Sequence, residues 1–290
     1  MNWLRNPWAR PRWLRVVTAL YIVWSIVPVG IAILFAFNNG RSRTTWQGFS
    51  FRWFTGSVGS VFHDPALQSA LKHTLFLGLL CVLVATPLGV ALALGLQRWR
   101  GRGSGTVNTM MLLPLVTPEI VMGVALLLLF LKIFPGLGLG TTAQAIGQVT
   151  FTLSYVVVIV RGRLVSVGRE YEEAAADLGA APWQVAYRVL WPLLSPAIFA
   201  SAVLVFSGVI DDFVLVDLLS SNSGNTPMSV YIYSQQRGGN GGPALNALGT
   251  IMLAMSFVLA IIGYLGYRFL TRGERGGGVD ALTTIAGSEG

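Results

Sequence analysis

Six apolar runs, each long enough to cross a bilayer, constrain this chain more than any other feature. A hydrocarbon core takes about 20 consecutive apolar residues in a helix. The runs lie at approximately 16–37, 69–97, 107–132, 144–162, 194–219 and 244–268. Only helices and closed barrels satisfy every backbone polar group in lipid, and runs of this length predict helices. Composition agrees: 11% of residues are charged and the mean hydropathy is +0.64, against about 25% charged in an ordinary soluble domain. The fold class expected is an all-α integral membrane protein with six transmembrane helices. The first run follows Arg5, Arg10, Arg12 and Arg15 as a signal peptide would. It exceeds the usual apolar core of such peptides and shows no small-x-small cleavage site, so it is read as a retained span.

The net charge of +8 would suggest nucleic acid in a soluble domain. Here the basic residues sit between apolar runs, and they set orientation instead. Fourteen of the 20 Lys and Arg fall in the N-terminal segment, in the turn Arg98–Arg102, in 161–192 and after residue 267. The positive-inside rule makes those segments cytoplasmic, both termini included. Arg41, Arg43 and Arg52 in the first external loop dissent. The domain reading is a basic cytoplasmic segment 1–15, a six-span domain 16–270 and a flexible cytoplasmic tail 271–290. In the first external loop, Trp46 and Trp53 read as interfacial anchors.

Soluble-enzyme chemistry finds little to use. Cys81 is the sole cysteine, His63 and His73 lack any Cys/His/carboxylate cluster, and no metal is expected. There is no G-x-x-x-x-G-K-[ST] phosphate loop; "GRGSGT" at 101–106 lacks the Lys-Ser/Thr pair. No catalytic role is assigned to any residue.

The odd segment is "EEAAADLGAAPWQVAYRVLWPLLSP" at 172–196, charged and helix-prone between two apolar runs. Glu170, Glu173 and Asp177 form an acidic ridge at i, i+3 and i+7. Gly179 suits a left-handed helix stop and Pro182 the first turn of a second helix, with Pro192 and Pro196 marking entry into the fifth span. Two short helices hinged at a glycine result. An interfacial helix is normally basic on its polar face, so the acidic ridge favours docking of a protein. Glu173-Ala174-Ala175, three residues, Gly179, nine residues and Val189-Leu190-Trp191-Pro192 resemble the EAA loop of ABC importer permeases, E-A-A-x3-G-x9-I-x-L-P, with Val189 for Ile and Trp191 for Leu. The resemblance implies that a coupling loop over about 168–192 docks on a separate ATPase through Glu173, Ala174, Ala175, Gly179 and Pro192. It also implies two ATP-binding subunits that hold the ATP and Mg, a second and homologous permease subunit, an extracytoplasmic substrate-binding protein, and no cofactor on this chain.

"LLPLVTPEIVMGVALLLLF" (112–130), "DDFVLVDLL" (211–219) and "TPMSVYIYSQQR" (226–237) are similar to the spermidine/putrescine permeases, with Pro227-Met228 where Leu-Pro is usual. The acids offer a physical parallel. Glu119 lies about 18 Å into the third span, near the midplane. Asp211, Asp212 and Asp217 follow in the outer part of the fifth, and no Lys or Arg shares their depth. Carboxylates at such depth are expensive unless they face a polar cavity. Either they line a route for a protonated amine, or they cap broken helix ends and bond neighbouring helices. A permease for a sugar, iron or an organic anion, and an integral membrane enzyme, are the competing functional readings.

Overall fold

A computed structural model describes residues 12–42, 44–56, 59–99, 101–221, 226–239 and 242–270. Most of the N-terminal basic segment and the tail 271–290 therefore lie outside the described residues. Eleven α-helices are described: α1 (Arg12–Ala36), α2 (Pro65–Arg98), α3 (Ser104–Val116), α4 (Glu119–Leu128), α5 (Thr141–Val167), α6 (Glu170–Asp177), α7 (Pro182–Val185), α8 (Trp191–Asp211), α9 (Val214–Leu218), α10 (Met228–Arg237) and α11 (Pro243–Leu270). The only β-pairing among the described residues is one antiparallel bridge between Asn38 and Phe49. Five helices are long and apolar enough to cross a membrane, and α3 with α4 makes a sixth, bent span.

The chain divides into two compact units. One comprises residues 1–68 and 232–253; the other, 69–231 and 254–290, holds both candidate sites. In the first unit α1 buries almost none of its apolar length. In the second, α2, α5 and α8 share a core: Leu77, Cys81, Ala85, Val90 and Ala93 meet Val156, Val157, Val160, Leu194, Val205 and Val209. Lipid offers no hydrophobic gain for helix association, so small residues at the seams matter. At Gly89 the α2 backbone comes so close that an added Cβ would lie 2.6 Å from Val156. A smaller cluster of Phe130, Ala143, Leu215 and Leu219 packs α4, α5 and α9 together.

Two of the expected spans are broken. The third is broken at Thr117-Pro118, where the helices on either side meet at a 108° bend. Proline disfavours helical geometry in the residue before it, and Thr117 is extended at φ −73°, ψ 129°. Its backbone N–H and its hydroxyl both donate to the Leu113 carbonyl, at 2.9 and 2.7 Å, closing the end of α3. The fifth span stops at Asp211, and Asp212 is extended at φ −66°, ψ 131° before α9 begins. At its other end the fifth span starts earlier than expected. From Pro182 to Asp211 the helix is continuous, so Pro192 and Pro196 lie inside it. A π-helical turn at Ala186–Leu190 lets it run on: the Trp191 N–H bonds the Ala186 carbonyl five residues back.

Candidate functional site

The charged segment at 170–192 folds as two helices meeting at a turn. α6 ends in paired reverse bonds, Gly179 N–H to the Ala176 carbonyl at 2.8 Å and Ala180 N–H to the Ala175 carbonyl at 3.1 Å. That pattern demands a left-handed residue, and Gly179 takes φ +83°. The second helix opens on Pro182, with Gln184 Oε1 accepting the Ala181 N–H at 2.9 Å. Glu170, Glu173 and Asp177 are exposed as the ridge requires, as are Ala174 and Pro192, while Ala175 is half-buried. Large apolar side chains are exposed beside them: Leu178 at 89%, Tyr187 at 70% and Trp183 at 65%. Leu190, which lies on the same stretch of helix, enters the core.

Glu172, off the ridge, was not singled out by sequence reasoning. It forms an ion pair with Arg98 at 2.5 Å, joining α6 to the end of α2. Arg169 reaches the Gln97 carbonyl at 3.5 Å. A cavity of about 370 Å³ lies there, lined by Gln97, Arg98, Glu172, Glu173 and Ala180 among others. Its components are 74 residues apart in sequence, so no local pattern reveals the pairing. The one clue is that Glu172 falls off the 170/173/177 face.

Farther along the same unit, three of the four singled-out acids converge. Glu119 opens α4 directly after the break, Asp211 is the last residue of α8, and Asp212 lies in the extended link to α9. All three line a cavity of about 500 Å³ with Gln148, Tyr155 and Ser207. Among the described residues no Lys or Arg lines it. Asp217, in α9, is exposed and not among its lining residues.

The three acids differ. Asp212 is half-buried; its Oδ1 accepts the Leu215 N–H at 3.3 Å, and its Oδ2 accepts from Gln148 Nε2. Its backbone carbonyl also accepts from the Ser229 hydroxyl at 2.6 Å. Glu119 and Asp211 are exposed to the cavity side. Asp212 thus does the helix-capping work that one reading of the sequence anticipated, and Glu119 and Asp211 present their carboxylates to the space.

Sequence reasoning missed the wall opposite. Gln144, Gln148, Thr152 and Tyr155 fall at spacings of four, four and three along α5, one helical face. That polar stripe within an apolar span was visible in the sequence. Phe151 adds an edge-to-face contact with Tyr155, centroids 5.5 Å apart. One turn up the stripe, Gln144 bonds His73 Nε2 at 2.8 Å and donates to the Ser220 hydroxyl at 2.8 Å. This buried network, with Thr74 accepting the Met228 N–H at 2.8 Å, holds the α9–α10 connection against α2 and α5.

Comparison with known proteins places this arrangement. The pattern described as binding-protein-dependent transport system inner membrane component matches residues 85–276. The putrescine transport system permease protein PotI of Escherichia coli strain K12 is 32% identical over 274 residues, 93% of this chain and 94% of that protein. The spermidine/putrescine transport system permease protein PotC of the same strain is 34% identical over 260 residues, 90% of this chain and 95% of that one. A crystal structure of a bacterial ABC transporter involved in the import of the acidic polysaccharide alginate shares the fold, with TM-score 0.70 and 20% identity, covering 90% of this chain and 96% of that one. With a family match over most of its length and those permeases aligned almost end to end, this multi-pass chain belongs to the binding-protein-dependent inner-membrane transport components, the non-enzymatic permease subunits of ABC importers.

Proposed function

We propose that the chain forms half of the membrane pathway of an ATP-driven importer for a small polyamine of the spermidine/putrescine type. The observation that carries this is the convergence of Glu119, Asp211 and Asp212, from three separate stretches of chain, on one cavity with no basic side chain in its wall. The names of the two relatives support the same solute class. The aromatic pair Phe151–Tyr155 suits the methylene stretches between ammonium groups and their cation–π contacts.

The remaining parts follow from the cytoplasmic segment. Its exposed acidic ridge and apolar side chains meet a soluble ATPase, with Glu173, Ala174, Ala175 and Pro192 at the contact and Gly179 setting the turn. Two such subunits bind ATP and Mg and close together. A homologous second permease completes the pathway, an extracytoplasmic binding protein delivers the solute, and both termini face the cytoplasm. Because Pro182–Asp211 is one continuous helix, movement at the docking surface passes along α8 directly to Asp211. Alternating access then follows by rocking of packed helices.

The test is uptake of radiolabelled spermidine by the whole complex in vesicles, with glucose and iron as comparison solutes and an ATPase-dead control. ATP-dependent spermidine uptake that falls about tenfold in Glu119→Gln, the equivalent of ~1.4 kcal/mol, is the expected result. Uptake of only another solute, or an unaffected Glu119→Gln complex, refutes the acidic-cavity reading.

A further inference from the structure

The acid cavity has a neighbour. A second cavity of about 490 Å³ lies between α3 and α5, lined by Asn108, Thr109, Leu112, Val158, Arg161 and Gly162 among others. The two share a face of α5. Phe151 and Tyr155 line the first, and Val158 and Gly162, each seven residues on, line the second. Seven residues make nearly two full turns of helix, so these side chains lie on one side. The third span supplies a wall of both, with Glu119 after its break and Asn108, Thr109 and Leu112 before it.

Between the two cavities the sign of the charge reverses. Among the described residues, three carboxylates and no base line the first, and Arg161 and no carboxylate line the second. From Tyr155 to Arg161 the helix rises about 9 Å, toward the end of α5 that leads into α6. Arg161 is half-buried and donates to Asn108 Oδ1 at 2.8 Å, across the seam between α3 and α5. Among the described residues it makes no ion pair. A charge within a membrane span is costly and is normally paired; this one has an amide partner and borders open space.

An arginine beside a pathway raises an electrostatic barrier to cations. Resting on the polyamine reading above, we propose that the second cavity is the exit half of the same route and that Arg161 is its barrier to cations returning. Forward passage is driven by the ATPase cycle. Return from the cytoplasm begins with occupancy of this compartment, which the guanidinium lowers. The acids draw the solute in at one end, and the arginine opposes its re-entry at the other.

The test uses the whole complex in nanodiscs, with other accessible cysteines removed and Cys81, buried and the sole cysteine of this chain, replaced by alanine. Gly162→Cys puts a thiol in the cavity, at a position where an added Cβ meets no atom within 4 Å. It is reacted with two methanethiosulfonates of similar size, one ending in a sulfonate and one in a trimethylammonium, each rate divided by that of a free thiol. The sulfonate should be favoured about tenfold. Arg161→Gln, which keeps a donor for Asn108, should abolish that preference, Arg161→Lys should keep it, and Asn108→Asp, which neutralises the guanidinium in place, should reduce it. In proteoliposomes, spermidine on the ATPase side should inhibit uptake by Arg161→Gln at about tenfold lower concentration than it inhibits the wild type or Arg161→Lys. A thiol at position 162 that neither reagent reaches at any stage of the ATPase cycle overturns the proposal, because lipid or the second permease then covers the groove. A sulfonate preference that survives Arg161→Gln overturns the role of the charge, and so does inhibition equal in Arg161→Gln and wild type. A complex that reacts with the thiol reagents as expected but carries no spermidine refutes the polyamine reading and leaves the exit barrier standing for another cation.

Discussion

Gly179→Ala isolates a single physical quantity. An ideal Cβ built on Gly179 meets no atom within 4 Å, so the substitution introduces no clash within this chain. It adds only the conformational penalty of a side chain at φ +83°, about 1–2 kcal/mol for an L-residue in the left-handed region. The turn joins the acidic ridge on α6 to the continuous α7–α8 rod, so relaxing it changes the angle between the two halves of the proposed docking surface. A penalty of that size lowers the population of the docked geometry by about 5- to 30-fold. Titrating the ATPase subunits onto the permease in nanodiscs should show that loss in apparent affinity, with uptake falling in parallel and the amount of inserted permease unchanged. Gly179→Asn supplies the control, since asparagine tolerates left-handed backbone better than alanine despite its larger side chain. The order expected is Gly, then Asn, then Ala. Binding unchanged in Gly179→Ala refutes the reasoning. Asn worse than Ala also refutes it, because bulk at the partner surface would then be the controlling factor.

Two further perturbations test the contacts around the sites. The Arg98–Glu172 pair has side chains 47% and 25% exposed, so solvent screening limits it to about 0.5 kcal/mol, the range of surface ion pairs. Either single reversal, Arg98→Glu or Glu172→Arg, should lower solute moved per ATP about twofold, and the double reversal should restore it; a double variant no better than the singles discounts the pair. Gln148→Leu removes the donor to Asp212 Oδ2. It should lower the stability of the detergent-solubilised protein by about 1–3 kcal/mol, read as a lower thermal midpoint, with Gln148→Glu more damaging because it sets two carboxylates together. A Leu variant as stable as the wild type refutes a structural role for that bond.

Much of this architecture is legible in the sequence because lipid forbids most alternatives. Spans announce themselves by length and hydropathy, and the turn at Gly179 by a glycine three residues before a proline. What sequence reading misses depends on partners distant in the chain. Pro118 hints at a local break, but the 108° bend and the packing of α4 against α9 that goes with it involve residues distant in the chain. The break at Asp212 has no proline; it depends on Gln148 from another helix. Pro192 and Pro196 look like helix boundaries, yet the π-helical turn before them accommodates both within one rod. Trp53 reads as an anchor by type and depth, and only the Asn38 carbonyl, 15 residues away, shows that it is interior. The polar face of α5 is a different case: its three-and-four spacing is plain, and it passes unnoticed because each residue alone is unremarkable in a helix.

The unequal circumstances of the three acids bear on how long a solute stays. Asp212 already receives a backbone and a side-chain donor. Glu119 sits in the first turn of the ten-residue α4, where the helix end carries roughly half a positive charge. Only Asp211 faces the space without such an internal counterweight. On the proposed route a doubly charged amine therefore meets a shallow well rather than a trap. Passage through a membrane requires a site attractive enough to enter and weak enough to leave. On that same proposal, selection by tight capture falls to the protein that delivers the solute, and the permease contributes a brief dwell time.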